Sequence, residues 1–543
     1  MDLEAAKKRY AEIVAAELAR KILPGASVAW IVDGEVVHAA GYGQADIQRG
    51  AAATADTIYR AGSISKLFNA VAAMQLVEQG KLDLDAPIEK ALSEFHIVVP
   101  FAGAVPITAR QLLCHRSGMI REAPVGGYLD PSQPSLAATV ASVASCVLVN
   151  PPNTKTRYSN VGPSIVGRAL EMQTRLSYAE YQERHVLAPL GMKSSAWLMN
   201  DALRPRLARG LMRVARGGDY VFEPAPEFEL GTIPAGNLYT SAADLARFAA
   251  WVMGGGSPSE SSAAILQRTT LEQMFVPQLT SEPTGYGLGF SVNRYRDHKT
   301  VQHNGAVYGF STSMVVLSEA RIGVIVLSNA DIAGGPVKRL SDAAIDLLLE
   351  AVRGQPLDKP TQPIELPSEA LAELAGDYES TSYWARLEVT GRSLRAVLSG
   401  QPLELTAVEP LKFLADGRMM RRSPFEFERA ADGSIAAFTA AGQRFKRVDP
   451  DHEPQPPNEW QFFVGSYGMS YIPLVIHLKY GQLWATIENE YDYRLTPLNR
   501  VTFNLPPGMY ADEQLVFQTD KNKHVVGVLF ANMSLRRRNL PKH

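Results

Sequence analysis

Ser63 and Lys66 stand three residues apart in Ala61-Gly62-Ser63-Ile64-Ser65-Lys66-Leu67-Phe68. On a helix that spacing puts both on one face, so the amine can reach the hydroxyl. Leu67, Val71 and Met74 recur at helical spacing and Gly80 is a plausible stop. The pattern predicts a helix that opens at Ser63, runs to about Gly80 and has one buried face. A hydroxyl, an amine one turn away and free N–H groups at a helix start could serve as nucleophile, base and oxyanion site. Taken alone the pair reads more simply, as a capping serine and a lysine reaching to solvent.

Three further groups could join this chemistry. Tyr158-Ser159-Asn160 follows the turn Asn150-Pro151-Pro152-Asn153 and precedes a helix predicted over 162–171. His303-Asn304-Gly305 precedes a predicted strand pair over 309–317 and 321–328, joined by a turn at Glu319-Ala320. Gly236-Asn237-Leu238-Tyr239-Thr240-Ser241 precedes a helix starting near Ala242, with Ser241 as its cap. Singly, a loop tyrosine packs and a lone histidine is structural.

The elements that must position these residues follow from periodicity. Residues 3–19 form a helix, and 26–32 and 35–39 form a hairpin about Asp33-Gly34 with a type I′ turn. A helical segment covers 108–115, and 121–135 is a Gly/Pro/Asp loop. Helices alternate with loops to about Gly254, and 253–262 is Gly/Ser-rich and expected to be mobile. Gly285-Tyr286-Gly287-Leu288-Gly289-Phe290 lacks the Lys-Ser/Thr ending of a phosphate loop and reads as a glycine-rich strand. A helix over 337–352 closes the unit. This order suggests an antiparallel sheet completed by both ends of the unit, with the helical insertion as a second lobe.

The Pro-rich stretches 356–367 and 449–457 read as linkers. The strand-rich segments they delimit resemble each other. Leu374-Ala375-Gly376-Asp377-Tyr378 matches Phe463-Val464-Gly465-Ser466-Tyr467 at an offset of 89 residues, and each segment ends in a basic strand. Two small, lipocalin-like antiparallel β-barrels are expected. The predicted domains are 1–355, 356–450 and 451–543.

Composition narrows the function. The chain has 543 residues, is 46% hydrophobic and 20% charged, and balances 54 basic against 56 acidic residues for a net charge of −2. No basic field is present to hold nucleic acid. Arg536-Arg537-Arg538 is read as a solvated strand end rather than an anion site. Cys114 and Cys146 lie in apolar surroundings and read as buried free thiols. No segment is apolar and long enough for a membrane span, and the N-terminus lacks a signal-peptide core. A cytoplasmic protein is expected, or a periplasmic one if a leader has been trimmed.

Ser-x-x-Lys at a helix start, then Tyr-x-Asn in a loop, then His-x-Gly on a strand resembles the penicillin-recognising serine hydrolases. That family includes class C β-lactamases, DD-peptidases, D-aminopeptidases and β-lactamase-like esterases. The flanks Thr108-Ala109-Arg110-Gln111-Leu112-Leu113-Cys114-His115-Arg116-Ser117-Gly118-Met119 and Pro234-Ala235-Gly236-Asn237-Leu238-Tyr239 agree with it, and the likeness covers about residues 10–350. It implies an α/β (α+β) β-lactamase/transpeptidase-like domain. It also implies Ser63 as nucleophile, Lys66 as its base, and Tyr158 as proton carrier to the leaving group. Ser63 and Ala306 N–H groups would form the oxyanion hole. Asn160 would orient Lys66 or the substrate amide, and His303, Gly305 and Asn237 would contribute to substrate binding. His115 is a family landmark read here as structural.

Where β-lactamases and DD-carboxypeptidases usually carry Lys-Thr-Gly, this chain has His303-Asn304-Gly305. A mostly neutral histidine recognises a substrate carboxylate less strongly than a fixed cation. No Gly-x-Ser-x-Gly elbow and no His-Glu-x-x-His zinc motif occurs. Neither metal nor other cofactor is expected. The expected activity is acyl-enzyme hydrolysis of amide or peptide bonds in a small-molecule or short-peptide substrate, as in D-aminopeptidases. A carboxylesterase on the same machinery is the alternative, and a non-catalytic ligand sensor is a third reading. The β-segments are expected to narrow the cleft through a loop near Asn489-Glu490-Tyr491-Asp492, or else to mediate homo-oligomer assembly.

Overall fold

The computed structural model describes every residue except 217–218, 255–264, 358–360, 449–454 and 539–543. Most of the Gly/Ser-rich stretch 253–262 and parts of both Pro-rich linkers lie outside the described residues. The chain divides into two compact units, Met1–Leu357 and Asp358–His543.

The first unit is built on an eight-stranded antiparallel sheet. Its spatial order is Ala51–Ala52, Glu35–Asp46, Gly25–Val32, Ile322–Ser328, Phe310–Leu317, His298–Val307, Ser291–Tyr295 and Gly285–Tyr286. Gly25–Val32 pairs with Ile322–Ser328, so both ends of the unit complete one sheet, as the periodicity predicts. Asp33 and Gly34 both have positive φ, +53° and +91°, which is the type I′ turn the hairpin requires.

Helix Leu3–Ala19 buries Ala6, Tyr10, Val14 and Glu17, spaced one turn apart. With the Gly334–Arg353 helix it covers one sheet face around Trp30, Val324, Leu340 and Leu348. Glu17 receives two hydrogen bonds from Arg339, at 2.9 and 2.6 Å, tying the first helix to the last.

Other elements depart from the sequence expectation. The helix after Ser63 is an α-helix over Ser65–Glu78 preceded by a 3₁₀ turn, Gly62–Ile64. Every residue from Ser65 to Leu76 is buried, so it has no exposed face. A central helix packed on all sides carries no amphipathic stripe, which is why the one-face pattern is too narrow. The insertion also holds a hairpin, Leu211–Arg216 with Asp219–Pro224. In the glycine-rich stretch only Gly285–Tyr286 is strand. Gly289, at φ +80°, turns the chain against the Ser63 helix, where a Cβ would lie 2.5 Å from that of Ala70. Loop 121–135 contains no helix or strand, and both cysteines are buried and outside any disulfide.

The second unit contains a closed eight-stranded barrel from Gly376–Glu379 to Gln443–Arg447, each strand pairing with the next. The following segment forms a four-stranded and a five-stranded sheet, linked by a bridge between Tyr467 and Arg537. The barrel closes at the matching pair, Tyr378 with Arg447. The repeat extends to side chains. Tyr378 Oη donates to Leu374 O (2.8 Å) and Tyr467 Oη to Phe463 O (2.7 Å). Arg447 donates to Glu373 O and Ala375 O, and Arg537 to Phe462 O and Val464 O. Arg537 is therefore a structural clamp rather than part of a solvated strand end. Asp492 turns inward and accepts from Trp384 Nε1 (2.8 Å) and Thr486 Oγ1 (2.6 Å). The residue is only 6% exposed, and its carboxylate is committed to these contacts within the second unit.

Candidate active site

Ser63 sits in a turn held from both lobes. Ser65 Oγ donates to Gly62 O (2.6 Å) and accepts from Leu238 N (3.0 Å). Ala61 N donates to Leu238 O (2.7 Å), and Thr312 Oγ1 donates to Ala61 O (2.9 Å). Gly62 has φ +55°, and a Cβ there would lie 2.8 Å from Ala306 N. A glycine is required by both the conformation and the contact. A Cβ on Gly305 would lie 2.0 Å from Ala61 O. The two glycines thus let the His298–Val307 strand touch the start of the Ser63 helix.

Lys66 Nζ lies 2.9 Å from Ser63 Oγ and donates to Ala235 O (2.8 Å). The residue is 2% exposed. Burial pushes the amine well below the ordinary lysine value, Glu122 opposes that shift, and Arg121 adds to it. A neutral amine beside the hydroxyl can accept its proton.

Tyr158 lies over this pair, with Lys66 Nζ 4.8 Å from its ring centroid. Its loop is fastened by Arg157 N to His115 O (2.7 Å) and Ser159 Oγ to Ile120 O (2.7 Å). Ser159 Oγ also accepts from Val161 N and Gly162 N at 3.1 Å, capping the Val161–Thr174 helix. His115, at φ +59°, stacks at 4.3 Å from Tyr158 and accepts from Ser159 N through Nδ1 (3.3 Å). It is structural, as expected, and it holds Tyr158 in place. Burial raises the Tyr158 phenol far above its ordinary value, so it stays protonated. Lys66, not a tyrosinate, is the base this arrangement can offer.

His303 is 5% exposed, with its ring 6.3 Å from that of Tyr158. Burial, then the Lys66 charge, lower its pKa to about 4, against a hydrogen bond to Asn304 O that raises it. The ring is therefore neutral at pH 7. The Asn304 carbonyl can only accept, so Nδ1 carries the proton (2.6 Å) and Nε2 keeps its lone pair.

The sequence-derived residues do not all converge. Ser63, Lys66, Tyr158 and His303 cluster, with Gly305 and Ala306 against the Ser63 turn. Asn160 stands beside the cluster, but its amide donates to Glu122 Oε1 rather than meeting Lys66. Asn237 is fully buried. Its amide donates to Trp197 O and Glu229, and its oxygen accepts from Arg60 and Leu230 N, which fills its hydrogen-bonding capacity. Sequence reasoning missed Arg121, Glu122 and Tyr286. Glu122 is 1% exposed, accepts from Tyr128 N (3.2 Å) and fixes Asn160. Arg121 Cζ lies 5.5 Å from the Tyr158 ring, and Tyr286 packs edge-on against His115 at 4.7 Å. Charged residues in a Gly/Pro-rich loop read as solvated, and only the position of Arg121 and Glu122 a few residues after His115-Arg116-Ser117-Gly118 hinted otherwise. Among the described residues no group of three or more His, Cys, Asp or Glu is placed to hold a metal ion.

A partly exposed serine hydrogen-bonded to a buried lysine under a protonated tyrosine, on an antiparallel sheet backed by a helical lobe, is the arrangement of a serine hydrolase. Residues 11–349 match the family described as Beta-lactamase, and the chain belongs to that family. It is 29% identical over 370 residues to penicillin-binding protein 4 of Amycolatopsis lactamdurans, covering 66% of this chain and 93% of that one. It is 28% identical over 282 residues to beta-lactamase-like protein 2 of Dictyostelium discoideum, covering 51% of this chain and 50% of that relative, so it spans about half of the latter's length. The octameric penicillin-binding protein homologue from Pyrococcus abyssi superimposes with a TM-score of 0.57 at 26% identity, over 82% of this chain and 100% of that chain. The D-amino acid amidase of Ochrobactrum anthropi SV3 shares the fold, with a TM-score of 0.53 at 24% identity over 64% of this chain and 99% of the amidase. Among the described residues no helix is long and apolar enough to cross a membrane.

Proposed function

We propose that this hydrolase cleaves amide bonds of small-molecule or short-peptide substrates through an acyl-enzyme on Ser63. Neutral Lys66 takes the hydroxyl proton as Ser63 Oγ bonds to the substrate carbonyl carbon. The oxyanion meets the Ser63 and Ala306 N–H groups, whose backbones the two glycines bring together. The proton passes through Tyr158 to the amide nitrogen, the C–N bond breaks and the amine leaves. Water, deprotonated by the same groups, then attacks the acyl carbon and releases the carboxylic acid and Ser63. The observation that carries the amide reading is the placement of Tyr158, whose ring lies 4.8 Å from Lys66 Nζ over the Ser63–Lys66 pair. An amine is a poor leaving group without a proton, and a protonated relay supplies one.

A second reading, carboxylesterase, has its own support. Neutral His303 offers no fixed cation, so nothing in the cluster demands a charged substrate. Tyr158→Phe separates the two, assayed on amide and ester substrates with the same acyl group. The amide reading expects the variant to lose about 10²-fold or more on amides and far less on activated esters. Equal losses would remove the relay role. Ser63→Ala should abolish turnover and fluorophosphonate labelling. Retained turnover in a pure preparation would refute the mechanism, and an unlabelled wild type would favour a ligand sensor. The octameric relative also supports self-association of this chain, which sedimentation velocity reads directly.

A further inference from the structure

Glu122 is a carboxylic acid buried beside the Ser63 cluster, 1% exposed, and no step of the proposed reaction uses it. Its segment runs along the Tyr158 loop. Asn160 N donates to Arg121 O (2.8 Å), Ser159 Oγ to Ile120 O (2.7 Å) and Arg157 Nε to Met119 O (3.1 Å). One carboxylate oxygen accepts from Asn160 Nδ2 and the other from Tyr128 N (3.2 Å). Arg121 Nε lies 3.8 Å from Oε1. Two accepted hydrogen bonds and a neighbouring guanidinium suit the ionised carboxylate. The turn beside it is tight. A Cβ on Gly127 would lie 3.3 Å from Glu122 Oε2 and 2.7 Å from Ala123 O.

The reaction creates a charge that this carboxylate can balance. Lys66 takes the Ser63 proton as Oγ bonds to the electrophilic carbon, and the neutral amine becomes an ammonium at a residue 2% exposed. A buried charge without a partner is costly, and an opposite charge nearby offsets the cost. The atoms that Lys66 Nζ touches, Ser63 Oγ and Ala235 O, are neutral. Around it stand Tyr158, His115, His303, Arg121 and Glu122. Burial keeps the Tyr158 phenol protonated and both imidazoles uncharged at pH 7. The charges that act on the amine are therefore two, of opposite sign. Glu122 favours its ammonium form and Arg121 disfavours it. Arg121 Cζ lies 5.5 Å from the Tyr158 ring centroid, and Lys66 Nζ lies 4.8 Å from the same centroid.

We propose that Glu122 is a positioning residue whose carboxylate, anchored by Asn160 and the Tyr128 N–H, is the counter-charge to the Lys66 ammonium formed when Ser63 attacks. The assignment rests on the acyl-enzyme reading. Glu122 acts through Lys66 rather than on the substrate. It makes Lys66 a stronger base than burial alone allows, and Arg121 limits that gain, so the pair sets the pH at which the amine becomes competent.

The test uses the full chain and a fluorophosphonate probe. Labelling of Ser63 calls on the same proton transfer to Lys66 and needs no knowledge of the natural substrate. The labelling rate is followed against pH, and its rise reports Lys66 deprotonation. Glu122→Gln should move that rise down by about one pH unit and lower the plateau rate about tenfold. Arg121→Gln should move it up. Glu122→Asp keeps the charge on a shorter arm and should hold the rise nearer its wild-type position. A purely structural anchor would slow both Glu122 variants and leave the rise in place. A folded Glu122→Gln chain whose rise is unmoved or raised would overturn the assignment. Should that variant fail to fold, Arg121→Gln decides: a raised position supports the counter-charge, and an unmoved or lowered one overturns it. A wild-type chain that takes up no label fails the acyl-enzyme reading itself. A labelled wild type with an unmoved Glu122→Gln profile fails this assignment alone.

Discussion

Burial disfavours the ammonium form of Lys66, as the proposed base role requires. Its folded pKa is depressed, so the unfolded chain holds this proton at pH values where the folded chain has released it. Activity should therefore rise with pH through an ionisation lying well below the ordinary lysine value of 10.5. A pH profile of kcat/KM reads it, and Lys66→Arg, which cannot deprotonate, should lose about 10³-fold or more at every pH. His303 carries the same sign. Its pKa of about 4 in the fold stands against 6.5 when unfolded, so the unfolded state binds more protons between those values. Its contribution is complete above pH 6.5 and is lost as pH falls toward 4. That loss amounts to up to about 3 kcal/mol, and buried His115 shifts in the same direction. Urea midpoints between pH 7 and pH 4 should fall, and His303→Gln should flatten the fall. His303→Lys should raise the kcat/KM ratio of a carboxylated substrate over its neutral analogue. An unchanged ratio would mean the residue does not face the substrate.

The element that decides the geometry is the contact between the His298–Val307 strand and the Ser63 turn. Gly305 and Gly62 make it, and Thr312 fastens it from the neighbouring strand. Gly305→Ala places a methyl group 2.0 Å from Ala61 O and 2.3 Å from Thr312 Oγ1. The strand must then retreat, at a cost of about 1–3 kcal/mol. Losing one oxyanion donor should lower kcat by about 10²-fold, with KM changed much less. Urea unfolding and steady-state kinetics on the same preparation check both halves. Normal kcat in a folded Gly305→Ala enzyme would remove Ala306 from the oxyanion role.

At the scale of the whole molecule, the first unit closes on itself. Its first and last helices cover one sheet face together, and Glu17 and Arg339 bond them directly. A chain ending at Leu357 should therefore fold and keep Ser63 labelling, judged by circular dichroism and fluorophosphonate incorporation. A truncated chain that is unfolded would contradict the self-contained core. The folded truncation also decides what the second unit is for. Wider acceptance of N-blocked or bulky substrates marks it as part of the active-site mouth. An unchanged substrate profile with a smaller particle on a column marks it as an assembly module.

Local spacing by itself determined a good deal. Ser63 and Lys66 at i and i+3 and the Asp33-Gly34 turn depend on residues a few positions apart, and the structure contains both geometries. The 89-residue repeat was legible for the same reason, because the Gly376 and Gly465 motifs are short. What only tertiary structure decided is the environment. The Ser65–Glu78 helix is buried on all sides because two lobes enclose it, and no periodicity encodes that. Glu122 becomes the anchor of Asn160 only when its loop folds over the Val161–Thr174 helix. Asn237, read from its motif as a substrate contact, is instead bonded to Trp197, Leu230, Glu229 and Arg60. Residue type states which hydrogen bonds a side chain can make. Long-range packing decides which of them are already made, and so which are left for chemistry.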